Sequence, residues 1–199
     1  MAGNMAAMFD TDTLVSECHG ALSERDPRRA VREIMLRTLA KPGPVQSAIG
    51  KDVGGLDIIY NSPELTVLNA IWAPGMKLYP HDHRMWAVIG IYGGVEDNRL
   101  FRRGPERIVE SGGRELRESD VLTLGADAIH SVANPEPRFT GAIHVYGGDF
   151  VNQPRSQWDP DTLLEQPFDL EQVRRLFAQA NADWAAQARA GEELDDETS

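Results

Sequence analysis

The feature that most constrains the fold is a series of short alternating segments separated by turn-forming residues. In residues 64–72, Leu65, Val67 and Ile71 alternate with neighbours such as Glu64 and Thr66, which is the period of a strand with one face buried. The other predicted strands are residues 56–60, 85–92, 95–102, 107–109, 114–116, 121–124 and 140–146. No helical segment separates these strands, so the pattern favours an antiparallel sandwich or barrel over a parallel sheet.

Helical patterns flank this β region on both sides. Apolar residues recur at intervals of three and four in residues 12–39 and again in residues 169–189, which is the spacing of amphipathic helices. The first stretch fits two helices that are broken at Pro27, and the second of them ends at the segment that begins with Pro42. The sequence therefore predicts a barrel at about residues 52–153 with N-terminal and C-terminal helices packed outside it.

The chain is of ordinary size for one domain, with 199 residues of which 41% are hydrophobic. We predict a single domain over residues 1–199, with disorder at residues 1–10 and 191–199. Cys18 is the only cysteine, so no intramolecular disulfide can form. The sequence has neither a signal peptide nor an apolar run of 18 residues, and we therefore expect a soluble cytoplasmic protein.

The charge of the chain limits its partners. The formal net charge is −11 and the pI is about 4.9, whereas binding to nucleic acids or to anionic membranes requires a clustered positive surface. We therefore expect neither a nucleic-acid nor a membrane partner. An anionic small-molecule substrate would need local arginine residues, and the oligomeric state is left open.

Histidines are concentrated in the β region and indicate a metal site. His81 and His83 are separated by one residue, so in an extended segment both side chains leave the same face and can reach one ion. Asp82 then points the other way. His130 offers a third ligand from a distant strand, because distant strands of a closed barrel face one cavity. His19 lies in the N-terminal helical segment, where we expect it to have no functional role.

Two sequence blocks resemble the paired conserved blocks of the cupin superfamily. Gly75, His81 and His83 match the first block, and His130 and Asn134 match the second. The resemblance covers roughly residues 75–146. It implies a small barrel of the cupin, or double-stranded β-helix, type, in which the three histidines hold a metal ion.

One ligand of the usual cupin set is missing from the first block. The superfamily places a glutamate four or five residues after the second histidine, where this chain has Ala87 and Val88. Glu96 comes too late to replace it, and we predict that Glu96 is a surface group at the end of a strand. Three neutral ligands leave a divalent ion its full charge, so that a thiolate or carboxylate can bind to it directly.

A cupin with three histidine ligands is similar to the thiol dioxygenases, the family of cysteine dioxygenase and bacterial 3-mercaptopropionate dioxygenases. The His-Asp-His-x-x-Trp pattern that ends at Trp86 resembles the bacterial members, and His144-Val145-Tyr146 resembles the family's Ser-x-His-x-Tyr segment, with Ala142 in place of the serine. The resemblance implies Fe(II) as cofactor, His144 and Tyr146 as catalytic residues, and Trp86 as a substrate contact.

The same resemblance indicates the substrate class. Val88 occupies the place of the crosslinking cysteine of the animal enzymes, and residues 56–60 contain no arginine to bind a substrate carboxylate. Arg155 lies nine residues beyond Tyr146, which is the spacing of the bacterial 3-mercaptopropionate enzymes. We therefore predict that Arg155 binds a small mercapto acid, 3-mercaptopropionate-like or cysteine, which O2 oxidises to its sulfinate. Arg84 and Lys77 are rival cations.

Other functions for a cupin with three histidines stay open at this point. Three histidines on zinc also form a hydrolytic site, so a hydrolase, lyase or isomerase with zinc or manganese is one alternative. A small-molecule-binding cupin without catalysis is another, and the missing serine keeps it open. The choice of native metal among iron, zinc, manganese and nickel depends partly on supply.

Overall fold

The computed structural model describes residues 8–197, with side chains described as far as residue 190. Its helices lie at the two ends of the chain. They are α1 (Thr11–Ala21), α2 (Pro27–Thr38), α3 (Pro42–Ile49) and α4 (Leu170–Glu197). None of these helices is long and apolar enough to span a membrane. The disorder predicted for residues 1–10 and 191–199 falls mainly outside the residues whose side chains are described, so it stays a prediction. The single domain also stays a prediction.

Helix starts follow capping residues in the sequence. The carboxylate of Asp10 accepts a hydrogen bond from the backbone of Thr13, and that of Asp26 accepts one from the backbone of Arg29, which satisfies amide groups that have no partner inside the helix. The break predicted at Pro27 is confirmed. Helix α3 was not predicted, because Pro42 was interpreted only as a stop, although proline is also favoured in a first helical turn.

The middle of the chain forms eleven strands in two antiparallel sheets. In chain order they are β1 (Gly55–Asn61), β2 (Thr66–Trp72), β3 (Lys77–Asp82), β4 (Ala87–Gly93), β5 (Val95–Arg103), β6 (Ile108–Arg117), β7 (Val121–Leu124), β8 (Ile129–Ala133), β9 (Thr140–Tyr146), β10 (Ser156–Trp158) and β11 (Glu165–Pro167). The segments predicted at residues 107–109 and 114–116 belong to the single strand β6. Strands β3, β8, β10 and β11 were not among the predicted ones.

The strand order identifies the fold. One sheet has the order β1-β2-β9-β4-β7 and the other β11-β10-β3-β8-β5-β6. Strands β2 to β9 therefore supply four strands to each sheet, in the orders β2-β9-β4-β7 and β3-β8-β5-β6. This is the strand order of a jelly roll, the double-sheet architecture that includes cupins. The predicted double-stranded β-helix barrel with helices at both ends is confirmed.

Two apolar clusters lie on opposite faces of the five-stranded sheet. The barrel interior holds Ile89, Ile91 and other side chains from both sheets, and Phe177 of α4 closes it by stacking on Trp72 at 5.4 Å between ring centroids. The outer face packs against α1, α2 and α3 through a second cluster. Burial of each aliphatic side chain contributes roughly 1.5 to 3 kcal/mol, so both clusters hold the sheet in place.

The approach of α2 to the sheet depends on one glycine. A Cβ atom at Gly90 of β4 would overlap the side chains of Leu39 and Met35 at the end of α2. The absence of a side chain therefore lets the helix lie directly on the strand, and this packing holds β4 beside β9, the strand that carries His144 and Tyr146.

Candidate metal centre

The three predicted ligands meet inside the barrel. His81 lies on β3 directly opposite His130 on β8 in the strand register, and His83 follows one residue after the end of β3. All three side chains are buried. The Nε2 atom of His83 is 3.2 Å from that of His81 and 3.3 Å from that of His130. The structure therefore brings together the set that the sequence pattern indicated.

The spacing of these nitrogens suits one transition-metal ion. Two imidazole nitrogens at ligand distance from an ion in tetrahedral geometry lie about 3.3 Å apart, which agrees with the separations from His83 Nε2. The donors are all imidazoles, and imidazole is a common ligand of zinc, copper, iron and nickel. The cluster can therefore hold a metal ion.

The far nitrogens of two ligands are held by oxygen acceptors. His81 Nδ1 is 3.1 Å from the carbonyl oxygen of Tyr79, and His130 Nδ1 is 2.8 Å from Oδ1 of Asn98. Each oxygen accepts a hydrogen bond from an Nδ1–H group, which leaves Nε2 unprotonated and facing the cluster. Within the described residues, His83 Nδ1 has no hydrogen-bond partner.

Burial keeps the cluster neutral. Desolvation is the main cause that lowers the pKa of His81 to about 4, and the positive charge of Arg155 adds to it. Burial, followed by the neighbouring imidazoles, also lowers the pKa of His83 and of His130 well below the ordinary value. Neutral imidazole is the form that binds metals, so near neutral pH all three residues are ready to act as ligands.

Asp82 ties the histidine segment to the C-terminal part of the barrel. Its buried carboxylate accepts hydrogen bonds from the backbone N–H of Ser156 at 2.8 Å and from Nε of Arg84 at 2.5 Å. Arg84 also donates to Ser156 Oγ and Glu165. As predicted, Asp82 points away from the metal cluster. Arg84 already has these partners, which counts against it as the substrate-binding cation.

His144 and Tyr146 form a hydrogen-bonded pair beside the cluster. They are buried neighbours on one face of β9, and the Tyr146 hydroxyl is 2.9 Å from His144 Nδ1. The Tyr146 ring meets the His83 ring edge-on at 4.9 Å between centroids. Burial raises the pKa of Tyr146, so its hydroxyl stays protonated. Ala142, two residues earlier on the same strand, is also buried and has no hydroxyl group.

Glu96 corrects an expectation from the sequence. It is fully buried and not a surface group, because β5 turns Glu96 and Asn98 toward the barrel interior. The sequence did contain a signal for this, since Glu96 and Asn98 alternate with Asp97 and Arg99, and the latter two are the more exposed. Desolvation would raise the pKa of Glu96, but interactions with His144, Asn98 and Trp72 together lower it. It is therefore an ionised carboxylate inside the barrel.

Arg155 lies between two aromatic rings next to the cluster. Its guanidinium carbon is 4.1 Å from the ring centroid of Phe150 and 4.0 Å from that of Phe168. The Phe168 ring neighbours His81 at 6.2 Å, and the Phe150 ring neighbours His83 at 6.0 Å. The two phenylalanines were not predicted from the sequence, which places them far from the histidines along the chain.

The polar groups of Arg155 are only partly used. Nη1 donates to the carbonyl oxygen of Phe150 at 2.5 Å, whereas the buried Nε has no acceptor among the residues described. Among the residues that the structure describes, no carboxylate lies within salt-bridge distance of the Arg155 guanidinium. Arg155 thus differs from Arg84, whose polar groups are already bound.

Two further predicted residues lie away from the cluster. Trp86 packs against the helix-side apolar cluster, and a Cβ atom at Gly147 would overlap its ring. Its role as a substrate contact therefore stays a prediction. Lys77 is exposed at the start of β3, and this position does not favour it as the cation that faces the three histidines.

The similarities to known structures concern the fold. No known protein-family model matches the sequence. The chain is similar to an RmlC-like cupin from Methanocaldococcus jannaschii with a double-stranded β-helix fold, at 9% identity and a TM-score of 0.43 over 50% of this chain and 84% of that one. It is also similar to the DMSP lyase DddQ from Ruegeria pomeroyi DSS-3, at 18% identity and a TM-score of 0.40 over 50% of this chain and 46% of that one.

A third similar structure is an oxalate oxidase in complex with the substrate analogue glycolate, at 14% identity and a TM-score of 0.37 over 43% of this chain and 42% of that one. The shared part is limited to about half of this chain in each case. The fold assignment therefore rests on the strand order, and a functional assignment has to rest on the side chains around His81, His83 and His130.

Proposed function

We propose that the protein is a non-heme Fe(II) thiol dioxygenase that oxidises a small mercapto acid, 3-mercaptopropionate-like or cysteine, to its sulfinate. One observation supports this function above the others. A hydrogen-bonded pair, His144 and Tyr146, and a partly buried guanidinium without a carboxylate partner among the described residues, Arg155, lie beside the same neutral three-histidine cluster.

The three neutral ligands suit the binding of an anionic thiolate. They would hold a divalent ion without offsetting its charge, and such an ion would attract an anionic thiolate. The overall reaction is balanced without another reductant, since a thiol, RSH, takes up both oxygen atoms of O2 to give a sulfinic acid, RSO2H. Iron would supply the redox chemistry, which zinc cannot do.

Arg155 would bind the carboxylate group at the other end of the substrate. A guanidinium presents a planar fork to the two oxygens of a carboxylate, and the buried Nε of Arg155 is still without an acceptor among the described residues. Arg155 also lines a cavity of about 360 Å³ together with the apolar side chains of Leu56, Val173 and Phe177. The lining of this cavity includes Phe150, which neighbours His83, but none of the three histidines.

Tyr146 provides a proton at the cluster. Its hydroxyl stays protonated because burial raises its pKa, and it is fixed by His144 Nδ1 at 2.9 Å. The hydroxyl proton can pass to an oxygen that forms beside the cluster when the hydroxyl exchanges its hydrogen bond to His144 Nδ1 for one to that oxygen. Phe150 stacks on the Tyr146 ring at 4.3 Å between centroids and helps to exclude water from this region.

Oxygen uptake by the iron-loaded protein tests this function. The protein is reconstituted with Fe(II) under anaerobic conditions and then mixed with oxygenated buffer and each member of a panel of short thiols. Uptake should be fastest with a mercapto carboxylic acid, and mass spectrometry should find the sulfinate with both oxygens from labelled O2. Zinc-loaded protein and the His83→Ala variant are the controls. A broad panel that gives no iron-dependent uptake above these controls would refute the proposal.

The spacing of the three ligands also supports a second candidate function. With Nε2 separations of 3.2 and 3.3 Å from His83, the three histidines would also hold zinc, which would supply an activated water for hydrolysis. A hydrolase or lyase of this kind would turn over its substrate equally well without oxygen. Dependence on O2 is therefore the measurement that separates the two candidates.

A further inference from the structure

Glu96 is a buried carboxylate that no lysine or arginine neutralises within the described part of the chain. Its Oε2 accepts a hydrogen bond from Nε1 of Trp72 at 2.7 Å, and its Oε1 accepts one from Nδ2 of Asn98 at 2.8 Å. Its side chain is completely inaccessible to solvent. Removing a charge from water costs several kcal/mol unless hydrogen bonds compensate for it, so the position calls for a physical reason.

Two series of polar groups start at the Glu96 carboxylate, and we call them its two branches. The first branch leads to Tyr146 of the proposed active site. Oε2 of Glu96 faces Nε2 of His144 at 3.7 Å, just beyond direct hydrogen-bond length. The opposite nitrogen of the same ring, Nδ1, is 2.9 Å from the Tyr146 hydroxyl. His144 Nε2 has no other partner among residues 8–190. The imidazole is therefore placed between an acceptor-only carboxylate and the hydroxyl of Tyr146.

The second branch leads to a predicted metal ligand. Asn98 uses its NH2 group to donate to Glu96, and its Oδ1 atom therefore faces His130 Nδ1 at 2.8 Å. An oxygen at this place accepts from Nδ1–H and leaves Nε2 of His130 free to bind a metal. An ionised carboxylate can only accept hydrogen bonds. Glu96 thus determines which group donates and which accepts in each hydrogen bond of this branch.

We propose that Glu96 is a positioning residue for both branches: it holds a proton on His144 Nε2, so that Nδ1 accepts from the Tyr146 hydroxyl, and it orients Asn98 toward His130. The part that concerns catalysis by Tyr146 rests on the proposed function, whereas the arrangement of protons and the metal affinity do not.

The isosteric change Glu96→Gln tests the proposal, because an amide cannot accept from all of the present donors at once. If the oxygen of the introduced amide keeps the bond to Trp72, the NH2 group of that amide meets the NH2 group of Asn98, which must then rotate and present a donor to His130 Nδ1. The imidazole of His130 is no longer held in its metal-binding tautomer. In this orientation zinc affinity should fall by about 10- to 100-fold, the usual effect of losing such a partner.

Nitrogen-15 NMR of the histidine rings gives the second readout, in metal-free and in zinc-loaded protein without substrate. In the wild type, His144 should carry its proton on Nε2. When the introduced amide instead turns its oxygen toward Asn98, its NH2 group faces Trp72 and His144 Nε2, and the His144 signal should shift to the other tautomer or to a mixture. Glu96→Gln should therefore change the zinc affinity, the His144 signal or both. Asn98→Ala interrupts only the second branch, so it should lower zinc affinity and leave the His144 signals unchanged. This variant also keeps the test informative if Glu96→Gln folds poorly.

Tyr92→Phe is the matched control, since it deletes a buried hydrogen bond to Asn69 that spans 2.7 Å on the helix-facing side of the sheet. It should change neither zinc affinity nor the His144 signals. The proposal is wrong if Glu96→Gln binds zinc within about twofold of the wild type with an unchanged His144 tautomer, or if Asn98→Ala alters His144 as strongly as Glu96→Gln does. A negative oxygen-uptake panel would leave these readings intact and would count only against the proposed function.

Discussion

The two faces of the five-stranded sheet are equally well buried but differ in how their polar groups are bound. On the helix-facing side, Tyr92 donates its hydroxyl to Asn69 Oδ1 at 2.7 Å, and Asn69 Nδ2 donates to the carbonyl oxygen of Ile49 at 2.9 Å. On the barrel side, His83 Nδ1 and His144 Nε2 are buried without a hydrogen-bond partner in the described part of the structure.

This difference separates a structural face from a functional one. The buried side-chain atoms without partners in the described residues are Tyr79 Oη, His83 Nδ1, His144 Nε2 and Arg155 Nε. Native proteins leave few buried polar atoms unsatisfied, and such atoms mark functional sites or places that a ligand occupies. None of the four belongs to the cluster under the helices, and three of them, His83 Nδ1, His144 Nε2 and Arg155 Nε, lie at or beside the three histidines.

Tyr146→Phe tests the functional face and should have the largest effect. It removes one hydroxyl that is hydrogen bonded to His144 while the ring stays stacked on Phe150. We expect iron content to be retained and turnover of the thiol to fall by roughly 10- to 10,000-fold, the span for one acid–base group and its hydrogen bond. The measurement is steady-state oxygen uptake at saturating thiol. Unchanged turnover would make Tyr146 a packing residue.

Arg155→Ala tests whether the unused guanidinium nitrogen serves a substrate carboxylate. Binding of the mercapto acid should weaken by about 2 to 5 kcal/mol for a desolvated pair, while its neutral amide should bind almost as before. Arg174→Ala is the matched control, since Arg174 lines the same cavity but is 65% exposed and paired with Glu171. Equal losses for acid and amide, or none for either, would exclude this role and direct attention to Arg84.

The neutral histidine cluster should make the metal-free protein sensitive to acid. Burial lowers the pKa of His81 to about 4 from an ordinary value of 6.5, so between these values the unfolded chain binds a proton that the folded one does not. The free energy of unfolding should therefore fall as the pH decreases from 6.5 to 4, by about 3 kcal/mol for this residue.

Urea unfolding of metal-free protein at pH 7 and pH 4.5 measures this loss. His81→Gln should show a correspondingly weaker pH dependence, whereas His19→Gln, on the exposed side of α1, should match the wild type. If His81→Gln loses stability with pH as steeply as the wild type does, the ring of His81 is not desolvated as described.

Tyr92→Phe should have the smallest effect on function, because it lies on the structural face. It leaves a buried acceptor, Asn69 Oδ1, without its donor, which should lower the free energy of unfolding by about 1 to 3 kcal/mol. Metal content and turnover should not change. Chemical unfolding and oxygen uptake on the same preparations measure both quantities, and a loss of turnover similar to that of Tyr146→Phe would remove the distinction between the two faces.

The sequence predicted more of the ligands than of their surroundings. His81, His83 and His130 were recognisable because spacing and residue type alone report metal chemistry. Glu96 was assigned to the surface, since its role depends on Trp72, Asn98 and His144, which only the three-dimensional register brings together. The strands were predictable where apolar and polar residues alternate, whereas β3 is buried along most of its length, and His130 and Ser131 interrupt the apolar pattern of the short strand β8.

The sandwich around Arg155 could not be predicted for a similar reason. Phe150 precedes Arg155 in the same loop, but Phe168 reaches it from beyond β11, after the chain has returned along β10. Sequence spacing from Tyr146 indicated the arginine, and the fold supplied the low-polarity surroundings that would strengthen its interaction with an anion.

Metal content is the measurement that tests the central claim most directly, namely that the barrel interior is built around one metal ion. Wild-type protein and His19→Ala should each bind about one transition-metal ion per chain after reconstitution and removal of excess metal, as expected for a three-histidine site. His81→Ala, His83→Ala and His130→Ala should each bind almost none. Full metal retention in any of these three variants would remove that residue from the site, and retention in all three would contradict the account.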